Sequence, residues 1–567
     1  MTAEAIAPRG LGRWWPILHW LPRYDPAWLR GDLVAAVTSW ALIVPQAIAY
    51  AEIAGLPPQA GLAGAAAGLI GYAILGTSKQ LLVSPTSSTA AISAALVTTI
   101  AAGDAARYGS LSAALAILVG GTFVILGLAR IGFVARFIPT AVQVGFMFGL
   151  GLTILTGQLT KILGVPGVHG SFVDELRQLV GELAAADPAT VVLGSLALAA
   201  LVLGRRYVPG APMALIVVVG GILAVAVFGL EARGVEVIGT IPGALPTLAL
   251  PLVNGTELLA LVPGAIAISI IGCAESLTVA QQFADEHRDE IRPDQELIAN
   301  GGANLLAGLF QGFIVGGGAS QSAANDQAGA RTPLASLLVG GLIVVTMVAL
   351  LPLFHDLPEA VLGAIVISAV IGFLRVDELV RIRRLRGDSF AMALVALIAT
   401  LVLGILPGLV VAVILTLLLL LVRLARPTTT LVGREADGRW APLAEATDAR
   451  PIPGLVVLRL DAPLLFLNAA LLRDQVRSAV RAAAPTARVV AVDLEASSDL
   501  DIESLDVLVR LAQQVREDGA ELWLVAVRPG VRSMLERAGL DAVAGAPRWF
   551  RTVAEALAAF EANGGSA

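Results

Sequence analysis

Cysteine is nearly absent from these 567 residues. Cys273 stands alone, which excludes an internal disulfide framework and any cysteine-based metal site. Histidine is as scarce: His19, His169, His287 and His355 are scattered without ligand spacing, so no metal is implied. Charge is thin, at 14% of residues against the ~25% usual for a soluble chain. No basic stripe appears outside short connecting loops, which excludes a nucleic-acid partner. No nucleophile–base arrangement marks an enzyme, and the Gly316–Gly318 run lacks the strand and spacing of a nucleotide-binding loop. What the chain has instead is 57% hydrophobic residues, 59 glycines and a mean hydropathy of +0.82. Length alone would predict about four soluble domains at ~150 residues each. The composition overrides that count, because it fits a chain that uses lipid as solvent for most of its length.

The N-terminus has no apolar run followed by a small-residue cleavage site, so no signal peptide is expected. Trp14, Trp15, Trp20 and Trp28 alternate there with Arg13, Arg23 and Arg30, which suits a segment lying at headgroup level. From Asp32 to Leu424 apolar stretches follow one another, cut by Gly, Pro and short charged loops. Spans are expected near 32–50, 60–76, 87–101, 111–128, 137–157, 189–204, 212–228, 258–278, 296–311, 319–330, 334–351, 358–374, 389–404 and 407–423, fourteen in all. Several are shorter than the ~20 residues that cross the hydrocarbon core. The cations test the count. With the N-terminus inside, thirteen fall in inner loops, among them Lys79, Arg136, Arg288 and Arg381, and only Arg107, Lys161, Arg177 and Arg233 fall outside. That is a strong positive-inside bias, and one missed span would spoil it. An even count leaves both termini in the cytoplasm.

After Arg426 the character changes. Segment 427–453 is polar and Pro-containing, as a linker should be. Three β-rich runs follow, Gly454–Leu460, Val489–Leu494 and Glu521–Val527, interleaved with amphipathic patterns at Ala470–Ala483, Ser504–Arg516, Gly530–Ala538 and Val553–Phe560. Strands alternating with helices predict a small α/β domain over 454–567 with a largely parallel or mixed sheet.

The membrane part is most informative where its helices break. Ser84-Pro85-Thr86-Ser87-Ser88-Thr89 interrupts the third span with a polar cluster. Pro fits the first turn of a helix and Ser or Thr caps it, so the cluster reads as the start of a half-helix in mid-membrane. Gly316-Gly317-Gly318-Ala319-Ser320-Gln321-Ser322 does the same before the tenth span, the third of the second half. Paired interruptions point to a transport site built from inverted repeats, because two half-helix N-termini offer free N–H groups and positive dipole ends to an anion. Ordinary loops misplaced by the span boundaries are the other account.

A third break, Val44-Pro45-Gln46, puts a donor and an acceptor of Gln46 at the bilayer centre, for a substrate or for a helix-packing hydrogen bond. Glu275, late in the eighth span, is the sharpest single residue. A carboxylate there is costly to keep charged, so it can carry a coupling proton or hold a cation; a structural hydrogen bond to a half-helix N-terminus is the alternative. Asn325 and Asp326 are weaker candidates near the end of the tenth span.

These residues together resemble the SulP sulfate-permease family, relatives of the animal solute carriers for sulfate, chloride and bicarbonate. The carrying motifs are VPQAIAYAEIAGLPPQAGL at 44–62, GTSKQLLVSPTSSTAA at 76–91, AESLTVAQQFA at 274–284, NGGANLLAGLFQGF at 300–313 and AGARTPLASL at 328–337. The tail resembles the STAS domain that follows the membrane region in that family. The resemblance implies an α-helical membrane protein of fourteen spans in two seven-span inverted repeats, divided into core and gate domains over 32–426. It implies substrate contacts at Gln46, Ser87, Ser88, Ala319, Ser320 and Gln321, with Glu275 at a position tied to proton or cation coupling. It also implies an elevator-like motion and a homodimer. Two departures stand out. Animal members have arginine where Gln321 aligns, so binding here rests on dipoles and hydrogen bonds. In Asp501-Ile502-Glu503-Ser504-Leu505, Glu503 occupies the antagonist's phosphoacceptor position, which puts phosphorylation control in doubt.

The expected function is secondary transport of a small anion (sulfate, bicarbonate or a C4-dicarboxylate such as fumarate) across a bacterial inner membrane, favoured as proton symport through Glu275. Na⁺-coupled bicarbonate symport, uncoupled exchange or channel activity, and a membrane-anchored regulator working through its tail are the alternatives. No cofactor is expected beyond the coupling ion. The expected partners are the anion, membrane lipid, a second copy of the chain and an unidentified cytoplasmic ligand of the tail.

Overall fold

The computed structural model describes residues 14–132, 139–167, 172–208, 212–240, 247–427, 429–435, 440–443, 449–483, 487–544 and 548–562. Arg13, Arg136 and His169 lie outside the described residues. Contacts divide the chain into two units, Met1–Thr416 and Leu417–Ala567.

A helix stands at each of the fourteen expected positions. They are α1 (Leu29–Ile53), α2 (Pro58–Leu75), α3 (Ser87–Ala101), α4 (Ala105–Leu128), α5 (Thr140–Leu163), α7 (Pro188–Tyr207) and α8 (Met213–Phe228) in the first half. The second half has α9 (Gly255–His287), α10 (Pro293–Leu309), α11 (Ala319–Gln327), α12 (Leu334–Val345), α13 (Glu359–Val370), α15 (Gly387–Leu403) and α16 (Ile405–Ala425). Among the described residues seven helices are long and apolar enough to cross a membrane singly. An eighth candidate is a pair bent by 119°, Phe172–Ala185 with Pro188–Gly204.

Two short helices lie where only loops were expected. They are α6 (Phe172–Glu182) and α14 (Val376–Leu385), which carry Arg177 and Arg381. Both are amphipathic, with the 3.6-residue alternation of a helix on a surface, a pattern the search for long apolar stretches passes over. Helix α9 is also longer than the expected 258–278. Asn254 and Glu257 form a capping box at its start, and Arg288 ends it in the left-handed conformation. In the N-terminal segment, a short helix Ile17–Trp20 and two 3-10 turns present Trp14, Trp15 and Trp28 as exposed side chains.

Small residues set the helix spacing. A Cβ on Gly61 of α2 would stand 2.0 Å from the Ala47 carbonyl oxygen of α1, and one on Gly145 of α5 would stand 2.0 Å from that of Ala393 in α15. Without a hydrophobic drive between helices in lipid, such backbone approach supplies the packing contact. Two interruptions also meet: β1 (Val83–Ser84) pairs antiparallel with β2 (Gly316–Gly317), Val83 opposite Gly317 and Ser84 opposite Gly316.

The second unit holds a six-stranded mixed sheet in the order β4-β3-β5-β6-β7-β8. The strands are β3 (Thr429–Arg434), β4 (Trp440–Pro442), β5 (Leu455–Leu460), β6 (Val489–Asp493), β7 (Glu521–Val525) and β8 (Arg548–Phe550). Strands β5 to β8 run parallel, whereas β3 is antiparallel to both β4 and β5. The expected linker 427–453 therefore contributes two strands. Thr and Val in TTLVGR have strand propensity, but polarity and proline masked the short run. Helices α17 (Ala469–Ala482), α18 (Ile502–Glu517), α19 (Pro529–Arg537) and α21 (Val553–Ala562) match the four amphipathic patterns, and α20 (Leu540–Ala544) is additional. Alternation along the strands fills two layers: Leu458, Val490 and Leu524 pack with Leu472 and Leu508, while Val457, Ala491 and Trp523 pack with Leu557 and Phe560.

Candidate functional site

The site begins with how the third and tenth helices start. After β1, Pro85 and an extended Thr86 (φ −124°, ψ 159°) turn the chain into α3, and Thr86 and Thr89 cap each other reciprocally. Ser87 and Ser88 are thus the first two residues of a 15-residue helix, both buried. Opposite, Gly318 leads into α11 with no side-chain cap, which leaves Ala319 and Ser320 exposed at its first turn. Two of the glycines before it are tightly packed. A Cβ on Gly317 would meet Ser276 Cα at 3.0 Å, and one on Gly318 would meet Gln321 Oε1 at 2.3 Å.

Hydrogen bonds lock this crossing. The Gly317 N–H donates to Ser276 Oγ at 3.0 Å, and the Leu82 N–H to Ser322 Oγ at 2.9 Å. Asn304 of α10 clamps Val315, accepting from its N–H at 3.0 Å and donating to its carbonyl at 2.9 Å. Irregular backbone buried in the membrane needs such partners, since no water replaces them.

Gln321 is the hub. Its Oε1 accepts from Ser84 Oγ at 2.5 Å, and its Nε2 donates to Gln46 Oε1 at 2.9 Å and to the Pro85 carbonyl at 3.3 Å. One side chain thereby ties α1, the start of α3 and α11 together. Glu275 approaches from α9, half-buried, with Ser88 Oγ at 3.3 and 3.5 Å from its two carboxylate oxygens. Ser88 Oγ also lies 2.9 Å from Thr86 Oγ1. Ser87 bonds the hydroxyl of Tyr50, one turn beyond Gln46 on α1.

Four of the seven expected residues pair directly, Gln46 with Gln321 and Ser88 with Glu275, and Ser87 bonds Tyr50 on the Gln46 helix. Ala319 and Ser320 are set apart as an exposed first turn without a side-chain cap. Asn325 and Asp326 bond elsewhere, Asn325 Nδ2 to the Gln80 carbonyl at 3.0 Å and Asp326 to His287 at 2.6 Å. Sequence reasoning placed Tyr50 and Ser84 at the helix breaks without giving them a site role, and it gave none to Ser276 and Asn304. Tyr50 was findable, being at i+4 from Gln46 and so on the same helix face.

A cavity of about 780 Å³ reaches Glu275. One wall is α5, through Thr140, Gln143 and Met147, with Phe373 and Arg375 beyond α13; the other is α9 and the start of α10, with Arg130 after α4. Glu275 is the member of the site that faces it, while Gln46, Ser87, Ser88 and Gln321 lie behind.

Residues 29–398 match the model of the sulfate permease family, and residues 446–556 match that of the STAS domain. The chain belongs to the sulfate permease family. A probable sulfate transporter of Mycobacterium tuberculosis is 35% identical over 548 residues, 96% of this chain and 98% of that one. A probable sulfate transporter of Arabidopsis thaliana is 28% identical, covering 97% and 91%. Among solved structures, the murine solute carrier 26 family member A9 anion transporter in the inward-facing state superposes with a TM-score of 0.89 at 22% identity, covering 99% of this chain and 97% of that one. At that identity the likeness shows the fold alone: a helical membrane domain followed by a STAS domain. These similar proteins are transporters, not enzymes.

Proposed function

We propose that this sulfate permease family member is a secondary active transporter of small anions, sulfate first among them, driven by a proton carried on Glu275. The sulfate-transporter names of its relatives support the substrate class. One observation carries the coupling. The Glu275 carboxylate lies against Ser88 in the first turn of α3, where the helix offers N–H groups to an anion, and the same carboxylate borders the cavity. Ionised, Glu275 competes for that positive end and repels the substrate; protonated, it leaves both half-helix ends to the substrate. The proton also offsets the anion's charge. Moving one uncompensated charge through a potential of 100 mV costs about 2.3 kcal/mol.

The transport path runs through 32–426, with both termini cytoplasmic in a bacterial inner membrane, and anion and proton cross together in an elevator-like movement. The regulatory STAS part begins with its first strand at Thr429, and the protein works as a homodimer.

The test is uptake of labelled sulfate, bicarbonate and fumarate into proteoliposomes, with and without an inward proton gradient, for wild type and Glu275→Gln. The expected outcome is accumulation of one anion that follows the gradient in wild type and loses that dependence in the variant. Equal uptake with and without the gradient in wild type overturns proton coupling, and a response to a sodium gradient instead assigns Glu275 to a cation.

A further inference from the structure

We propose that Lys161 is a positioning residue that closes the end of the transport domain opposite the cavity, exchanging its ion-pair partner between Glu52 and Glu359 as access switches. The inference rests on the transport reading above. Helix α5 lines the cavity with Gln143 near its start, and Lys161 lies 18 residues later in its last turn, ~27 Å along the axis. There Lys161 is largely buried and pairs with Glu52, in the last turn of α1. Glu52 stands six residues beyond Gln46, on the helix that Gln321 ties to α11. The Lys161–Glu52 pair therefore joins the cavity-lining helix to the substrate-site helix at the end remote from that cavity.

A second carboxylate waits beside it. Glu359 Oε2 lies 4.0 Å from Lys161 Nζ. It opens α13, with its N–H fixed to the Glu236 carbonyl at 3.0 Å. Helix α13 packs against α5 at this level: a Cβ on Gly363 would meet Lys161 Cβ at 3.2 Å and the Gln158 carbonyl at 3.3 Å. Beyond α13, Phe373 and Arg375 share the cavity wall with α5. Any sliding of α1 past α5 that opens this end must break Lys161–Glu52, yet it need not disturb α5 against α13. Glu359 then holds the ammonium, so the open state does not strand a charge that is only 18% exposed.

Two readouts test this in the full chain with Cys273→Ala as background. In the first, a cysteine replaces Ala54, fully buried just past the end of α1. Its modification by a charged maleimide is timed in detergent. Lys161→Gln should speed labelling at least fivefold, and Glu359→Gln should slow it by removing the competing partner. Labelling in Lys161→Gln within a factor of 1.5 of the parent overturns the proposal. In the second, Glu52→Cys with Lys161→Cys is bridged by a short, reducible bis-thiosulfonate. Uptake should fall at least tenfold and return with reductant, whereas bridging Lys161→Cys with Glu359→Cys should leave it within twofold. Undiminished uptake in the fully bridged first pair overturns the proposal. A wild type that takes up none of the anions overturns the transport reading instead, and the labelling arm still decides the latch.

Discussion

Replacing Gln321 with alanine removes one amide and unpairs three groups from three elements. The Ser84 hydroxyl loses its 2.5 Å acceptor, Gln46 Oε1 its 2.9 Å donor and the Pro85 carbonyl its 3.3 Å donor. Ser84 is fully buried and Gln46 is 6% exposed, so solvent cannot take over without entering the crossing. A buried polar group left unpaired costs about 1–3 kcal/mol. The Ser84 hydroxyl can rotate toward another oxygen and the 3.3 Å contact is weak, so the expected loss is about 2–5 kcal/mol. With an unfolding entropy of about 2.1 cal/mol/K per residue over the first unit, that lowers Tm by roughly 2–6 °C. The same change unties α1 from α11, so the uptake KM should rise at least fivefold. Intrinsic-fluorescence melting of the purified protein and initial-rate uptake measure both. Gln321→Glu should be worse than alanine, because a carboxylate at Nε2 would face two acceptor oxygens. A Gln321→Ala protein that melts within 1 °C of wild type and keeps its KM would refute the hub.

Glu296 is a buried carboxylate accepting from the Tyr72 hydroxyl at 2.5 Å, the Thr77 N–H at 2.7 Å, the Thr77 hydroxyl at 2.5 Å and the Ser78 N–H at 3.2 Å. Glu296→Ala should cost more than about 3 kcal/mol and reduce the monodisperse yield severalfold by size exclusion, whereas Glu296→Gln keeps part of both. In the tail, burial pushes the Asp493 carboxyl up, against the Glu495 N–H and the Arg459 guanidinium that favour its charge. Its stabilisation is complete below the unfolded carboxylate value of about 3.9 and is lost as pH rises through the folded value. Asp493→Asn should therefore slow hydrogen exchange in β6 at pH 7 and lose that advantage near pH 4. Asp501 behaves oppositely: burial raises it, but bonds from Ser504 and the Phe466 N–H outweigh that and leave it lowered. Its contribution is present at pH 7 and is lost as pH falls through the lowered value. As the cap of α18, Asp501→Ala should cost about 0.5–2 kcal/mol, read as faster exchange in the first turn of that helix at neutral pH.

By itself the sequence determined the elements whose signals are local. Apolar run length located all fourteen membrane-part helices, though not all their ends, since α9 runs nine residues past its expected end and α5 six. Capping chemistry marked Thr86 and Ser87 as a helix start, since a polar cap is read within four residues. Period-two and period-3.6 patterns separated three strands from four helices in the tail. Signals that were short or lacked apolar length went unseen: the amphipathic α6 and α14, and β3 and β4 in the segment expected to be a linker. Only the tertiary structure decided who meets whom. Gln46 and Gln321 are 275 positions apart, and Ser88 and Glu275 are 187 apart. No spacing rule reaches that far. The β1–β2 pairing and close glycine contacts settle it, because polar groups inside a membrane must find their partners within the protein.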